Sequence, residues 1–183
     1  MDAIQEAKTR FLVDWNARYP ETPPINYFFK ERLPARWARI HCLPDSKRYP
    51  QTKSEWDTLL SRQNTALDSL VPQGAPIRVV INFIEIDNYL FKAFDLENIG
   101  VFVDEAGETV FQSFQFETVW ESQTLNPLLM MIADDVMRAF IIGPDCLISP
   151  YDGGVDVILK DPHTCWVFKR QFKDWLSKHP AGL

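Results

Sequence analysis

Apolar residues in this chain repeat at two intervals, and the two patterns occupy separate stretches. A spacing of three and four marks an amphipathic helix, whereas alternation marks a strand with one buried face. The helical spacing runs through Asp2–Tyr19, where Ile4, Ala7, Phe11, Leu12 and Trp15 form one stripe. Pro20 stops this helix, and Pro23-Pro24 keeps the chain extended. A second helix is predicted from Thr52 to about Leu70, with Trp56, Leu59, Leu60, Gln63, Leu67 and Leu70 on one face. Thr52 and Glu55 have the spacing of a capping box, in which each satisfies an orphan amide. Asn126-Pro127 starts a third, expected to run through Leu128, Leu129, Ile132 and Val136 to Phe140. Asp161-Pro162 starts the last, carrying Trp166, Phe168, Phe172, Trp175 and Leu176 and ending before Pro180.

Alternation fills the spaces between them. Arg36–Leu43 reads as a strand of mixed polarity, and Ile77–Ile86 as a β-branched one. Gly100–Asp104 and Glu108–Trp120 flank Ala106-Gly107, a hairpin signal with a glycine suited to a left-handed turn. Ala139–Ile142, Leu147–Pro150 and Val155–Leu159 are further short strands. This segregation of helices from strands predicts an α+β fold with a largely antiparallel sheet and helices packed on it. One domain is expected over residues 1–183, of which 1–24 are an N-terminal helix and a proline-rich connection.

A chain of this length can bury enough surface to need neither disulfide nor metal for stability. Cys42, Cys146 and Cys165 are odd in number and scattered, as in reduced cytosolic proteins. The first twenty residues hold charges throughout, and no apolar run approaches the ~20 residues of a membrane helix. The expectation is a soluble cytoplasmic protein with no membrane partner.

The net charge of −6 is unevenly spread. Residues 30–48 hold six basic side chains against two acidic, a net of +4. Residues 81–140 hold eleven acids against Lys92 and Arg138, a net of −9. An acidic middle disfavours nucleic acid as the main partner and suits a basic protein. The same acids also fit the solvated outer faces of strands.

Two segments hold the candidate site residues. Arg36, Arg39, Lys47, Arg48 and Tyr49 lie in one basic segment suited to a phosphate or carboxylate, which arginine binds bidentately. Their other role is to lock the loop onto the acidic middle of the chain. Within that segment, Arg39 is expected to pair internally, and Lys47 and Arg48 to stay open to solvent or an anion. Tyr151, Asp152 and Asp156 surround the second segment, Asp152-Gly153-Gly154. Its glycines permit positive φ and close approach of another group. Asp152 and Asp156 have a spacing that brings them together across a turn, but two carboxylates make a poor magnesium site. The order Asp145, Asp156, Lys169 loosely follows that of restriction-endonuclease-like folds, with Val167 where the second acid belongs. His41/Cys42 and His163/Cys165 lack zinc-finger spacing. No metal or cofactor is expected.

RWARIHCLPDSKRYP, SRQN, PYDGGVDVIL and KDWLSKHPAGL together resemble a bacterial family catalogued as domain of unknown function 3885. The resemblance covers about Phe28 to Leu183. It implies a bacterial cytoplasmic domain and transfers no reaction, cofactor or catalytic residue. The leading expectation is a non-enzymatic protein-binding domain, an immunity-type inhibitor being one form. The rival is a hydrolase or nuclease-like enzyme using acids of the Tyr151–Asp156 turn with the Arg36–Tyr49 loop.

Overall fold

A computed structural model describes residues 2–83, 95–104 and 107–177. Residues 84–86 of the expected second strand, Ala106 of the hairpin, and the acids Glu85, Asp87 and Glu105 lie outside the described residues. The elements in chain order are α1 (Ala3–Arg18), the short α2 (Phe29–Arg32), β1 (Trp37–His41) and α3 (Lys53–Leu70). Then come β2 (Pro76–Phe83), β3 (Glu97–Val103), β4 (Val110–Val119), α4 (Asn126–Ala133), β5 (Arg138–Ile142), β6 (Cys146–Tyr151), β7 (Gly154–Leu159) and α5 (Pro162–Gln171). The strands form one seven-stranded sheet in the order β1-β7-β6-β5-β2-β4-β3, antiparallel at every pairing. The α+β reading and the antiparallel sheet therefore hold. No helix among the described residues is long and apolar enough to cross a membrane.

Strand alternation sends side chains to two separate cores. Ile40, Val79, Ile81, Ile141, Ile148, Val155 and Val157 face α3, α4 and α5. Val80, Phe140, Leu147 and Ile158 face Phe11 and Trp15 of α1 together with Ile25 and Phe29. The α1 stripe is real for Ala7, Phe11 and Trp15, while Ile4 is exposed. The capping box forms: the Glu55 amide donates to Thr52 Oγ1 (3.2 Å) and the Thr52 amide to Glu55 Oε2 (3.1 Å). Gly107 has φ +70°, as the hairpin requires.

Two helices depart from expectation. α4 ends at Ala133 rather than continuing to Phe140. Asp135 turns the chain with φ 57°, and Phe140 enters β5, packing on Trp15 and Phe29 of the opposite core. Positions 132, 136 and 140 have helical spacing, but Ala139–Ile142 also reads as strand, and pairing with β2 and β6 decides the ambiguity. Asn126 is the first helical residue rather than the cap, and its Oδ1 accepts from Asn64 Nδ2 of α3 (2.7 Å). In α5, Cys165 and Phe168 are buried but Trp166 is exposed, stacked against His163 and covered by Arg170.

Candidate functional site

The end of the sheet beyond α1 carries a cluster of charged and polar residues on β1, β6 and β7. β1, β7 and β6 align Arg39 with Asp156 and Asp156 with Ser149. The adjacent row aligns His41, Gly154 and Tyr151. Arg39 grips Asp156 with a guanidinium fork, Nε to Oδ1 at 2.6 Å and Nη2 to Oδ2 at 2.7 Å. Burial works against the cation, but the bonds to Asp156 outweigh it and hold the Arg39 pKa above its ordinary value. The guanidinium also lies over the Tyr151 ring, 4.6 Å from its centroid.

The Asp152-Gly153-Gly154 turn joins β6 to β7. Neither Gly153 nor Gly154 has positive φ, which leaves the second of the two uses expected of them. Close approach is the operative reason. A Cβ on Gly154 would fall 2.0 Å from the Ile40 carbonyl oxygen and 2.8 Å from Tyr151 Oη. β1 thus lies against β7 only because position 154 has no side chain. The Cys42 amide extends this contact by donating to the Gly153 carbonyl (3.1 Å).

Asp152, itself buried, receives Arg48 at 2.5 Å. The Tyr49 hydroxyl bonds to the same carboxylate, which raises the tyrosine pKa. The basic loop is therefore clasped to the hairpin turn. At its other end Lys47 pairs with Glu55 at 2.5 Å. That bond, together with the Gln51 amide, draws the Glu55 carboxyl down to about 2. Lys47 and Arg48 thus both hold carboxylates, while the Arg48 side chain stays 67% exposed to solvent. Arg39 does pair internally, but with Asp156 of β7 rather than with the acidic middle of the chain. Arg36 lies apart, donating Nε to the Leu159 carbonyl (2.5 Å) and resting on the Tyr19 ring.

Arg39, Arg48, Tyr151 and Asp152 line one cleft of about 420 Å³. Asp156 and Tyr49 stand behind it as partners of the lining side chains, and Arg36 and Lys47 do not line it. The sequence reading missed Ile132, Asp135, Met137 and Arg138, which also line it. They come from the end of α4 and the turn into β5, and no motif links that turn to the basic loop. Backbone strain was the available signal once the fold was known. Of the five left-handed residues other than glycine among the described residues, Asp45, Ser46 and Asp135 are at or beside this cleft. Burial, reinforced by Arg39, lowers the His41 pKa, so its imidazole is neutral at pH 7. His41 Nε2 and Tyr151 Oη are buried and have no hydrogen-bond partner among the described residues.

The other chemical candidates do not assemble. Asp145 pairs with Lys160 (3.6 Å), and α5, which carries Lys169, packs on the sheet face opposite Asp156. Cys165 Sγ donates to the Trp37 carbonyl (3.3 Å), whereas His163 stacks on Trp166. Burial raises all three thiols, Cys42 and Cys146 to about 12. Among the described residues no group of three His, Cys, Asp or Glu side chains is placed to hold a metal.

At the far end of the sheet lies a second concavity, lined by Asp95, Phe116, Glu117, Val119, Glu121 and Leu125. Its acids are exposed, and Glu117 pairs with the guanidinium of Arg78 (2.8 Å).

An antiparallel sheet covered on both faces, with a charged cleft at one end, defines the class as an α+β protein with a concave polar site. The chain belongs to the family described as Domain of unknown function (DUF3885), which it matches over residues 25–180. No curated protein and no solved structure matches it.

Proposed function

We propose that the protein works by binding a partner in a bacterial cytoplasm rather than by catalysis. The observation that carries this reading is the engagement of the two candidate carboxylates. Asp156 is gripped by Arg39 and Asp152 by Arg48, so each acid is already engaged as an ion-pair partner within the fold. The partner is a basic protein, and its docking region is the acidic concavity of Asp95, Glu117 and Glu121 around Phe116 and Val119. Charge would speed the encounter and apolar contact would supply affinity. An immunity-type inhibitor of a basic toxin is one concrete form.

The test compares wild type with Glu117→Lys/Glu121→Lys as baits in native lysate. Wild type should retain a basic protein at low salt and release it at high salt, and the variant should not retain it. Equal retention by both baits would sink the proposal.

A hydrolase reading has one observation in its favour, the convergence of the basic loop and the hairpin turn on one cleft. It requires turnover of an ester or phosphodiester that disappears in both Asp152→Asn and Asp156→Asn. Turnover that persists in either variant removes it.

A further inference from the structure

The cleft between β1, β6 and the α4–β5 turn contains charges that the fold does not use. Arg39 and Arg48 are each matched to a carboxylate, Asp156 and Asp152. Two charged lining residues remain, Arg138 and Asp135. Neither has an ion-pair partner within bonding distance among the described residues, although Asp135 is near enough to Arg48 to influence it. Counted together, the arginines and aspartates of the cleft and its backing cancel. A cleft with no net charge gives little advantage to a polyanion such as phosphate. It instead presents one guanidinium fork and one carboxylate not taken up by an ion pair among the described residues.

Part of the lining is apolar. Ile132 and Met137 are both only 4% exposed, and Pro150 is buried beside them. Asn26 and Ser46 add uncharged polar groups to the lining. A volume of about 420 Å³ is in the range of small-molecule sites. Asp135 sits in the left-handed region at φ 57°. It and Arg138, three residues further on, both line the cleft.

We infer that this cleft is a site for a small zwitterion with an apolar body, a free amino acid. Arg138 receives the carboxylate through a bidentate contact. Asp135 receives the ammonium group. The apolar side chain rests on Ile132 and Met137. This site is separate from the acidic concavity proposed for the protein partner, and neither proposal depends on the other.

The experiment is calorimetric titration of the full chain with L-leucine, L-methionine, N-acetyl-L-leucine, L-leucinamide and inorganic phosphate. Leucine or methionine should bind. The N-acetyl and amide compounds, which each lack one charge, should bind at least about tenfold more weakly, the worth of one charged hydrogen bond. Arg138→Gln and Asp135→Asn should each weaken amino-acid binding by a similar factor. Asparagine tolerates the left-handed conformation, so the second variant keeps the turn. Circular dichroism confirms that both variants are folded. Binding of N-acetyl-L-leucine or phosphate as tight as that of leucine would make this a plain anion site and overturn the inference. Failure of both amino acids to bind at millimolar concentration would overturn it equally, as would binding unchanged in both variants.

Discussion

The Arg39–Asp156 and Arg10–Glu97 pairs have the same shortest distance, 2.6 Å, at opposite ends of one sheet. Their surroundings differ. The Arg39 and Asp156 side chains are 20% and 12% exposed, those of Arg10 and Glu97 64% and 44%. At the β1–β7 end the charges sit in register, desolvated and bidentate. At the β4–β3 end they stand in water and can be exchanged for solvent at little cost. Distance alone therefore says little about what a pair contributes, and burial decides it. The same contrast separates the parts of the molecule that hold the fold from those available to a partner.

The largest effect should come from cutting the buried pair. Arg39→Ala leaves Asp156 uncompensated and should lower stability by about 3 kcal/mol, read by urea denaturation. Removing both partners should restore part of that loss. A single-variant loss as small as that at an exposed pair would erase the comparison.

The next effect tests why β1 packs so closely on this end. Gly154→Ala places a methyl group on the Ile40 carbonyl and should lower stability by about 2 kcal/mol. Gly153→Ala meets Tyr151 Cε2 at 3.1 Å and Arg48 Cγ at 3.4 Å, both side-chain atoms, and should lower it by less. Equal thermal melts for the two variants would contradict close approach as the reason for glycine.

His41 gives a pH signature confined to the cleft end. Its folded pKa is lowered below the ordinary 6.5, first by burial and then by Arg39. The unfolded chain therefore takes the proton more readily than the folded one. The contribution of neutral His41 is complete above pH 6.5 and is lost as the pH falls below it. Between pH 7.5 and 5.5, His41→Gln should show a smaller drop in urea midpoint than wild type. An identical drop would mean that His41 is not the group responsible.

The smallest effect belongs to the exposed end. Arg10→Ala should change stability by less than about 0.5 kcal/mol, and added salt should leave that difference near zero. A loss comparable to that of Arg39→Ala would overturn the distinction between the two ends.

Much of the architecture was legible because it is written in local spacing. The stripe of Ala7, Phe11 and Trp15, the Thr52–Glu55 box and the left-handed Gly107 each depend on residues a few positions apart. The readings that failed were those in which two local patterns overlapped. Phe140 had helical spacing from Ile132 and strand spacing within Ala139–Ile142, and only pairing with β2 and β6 resolved it. Trp166 was grouped with Phe168 on the last helix, yet the face of α5 that packs inward is that of Cys165 and Phe168. In the cleft, Arg39, Arg48, Tyr151 and Asp152 were marked by residue type, whereas Asp135 and Arg138 carried no local signal.

By itself the sequence determined the kinds of element, their approximate limits and the α+β class, because periodicity and capping act within a few residues. Only the tertiary structure decided which charges meet. Arg39 and Asp156 are 117 positions apart and share a face only because β1 pairs with β7 in one register. A slip of one residue would turn Arg39 toward the opposite core and leave Asp156 unpaired. That register depends on the packing of both sheet faces and on the absence of a side chain at Gly154, which no short stretch of sequence encodes.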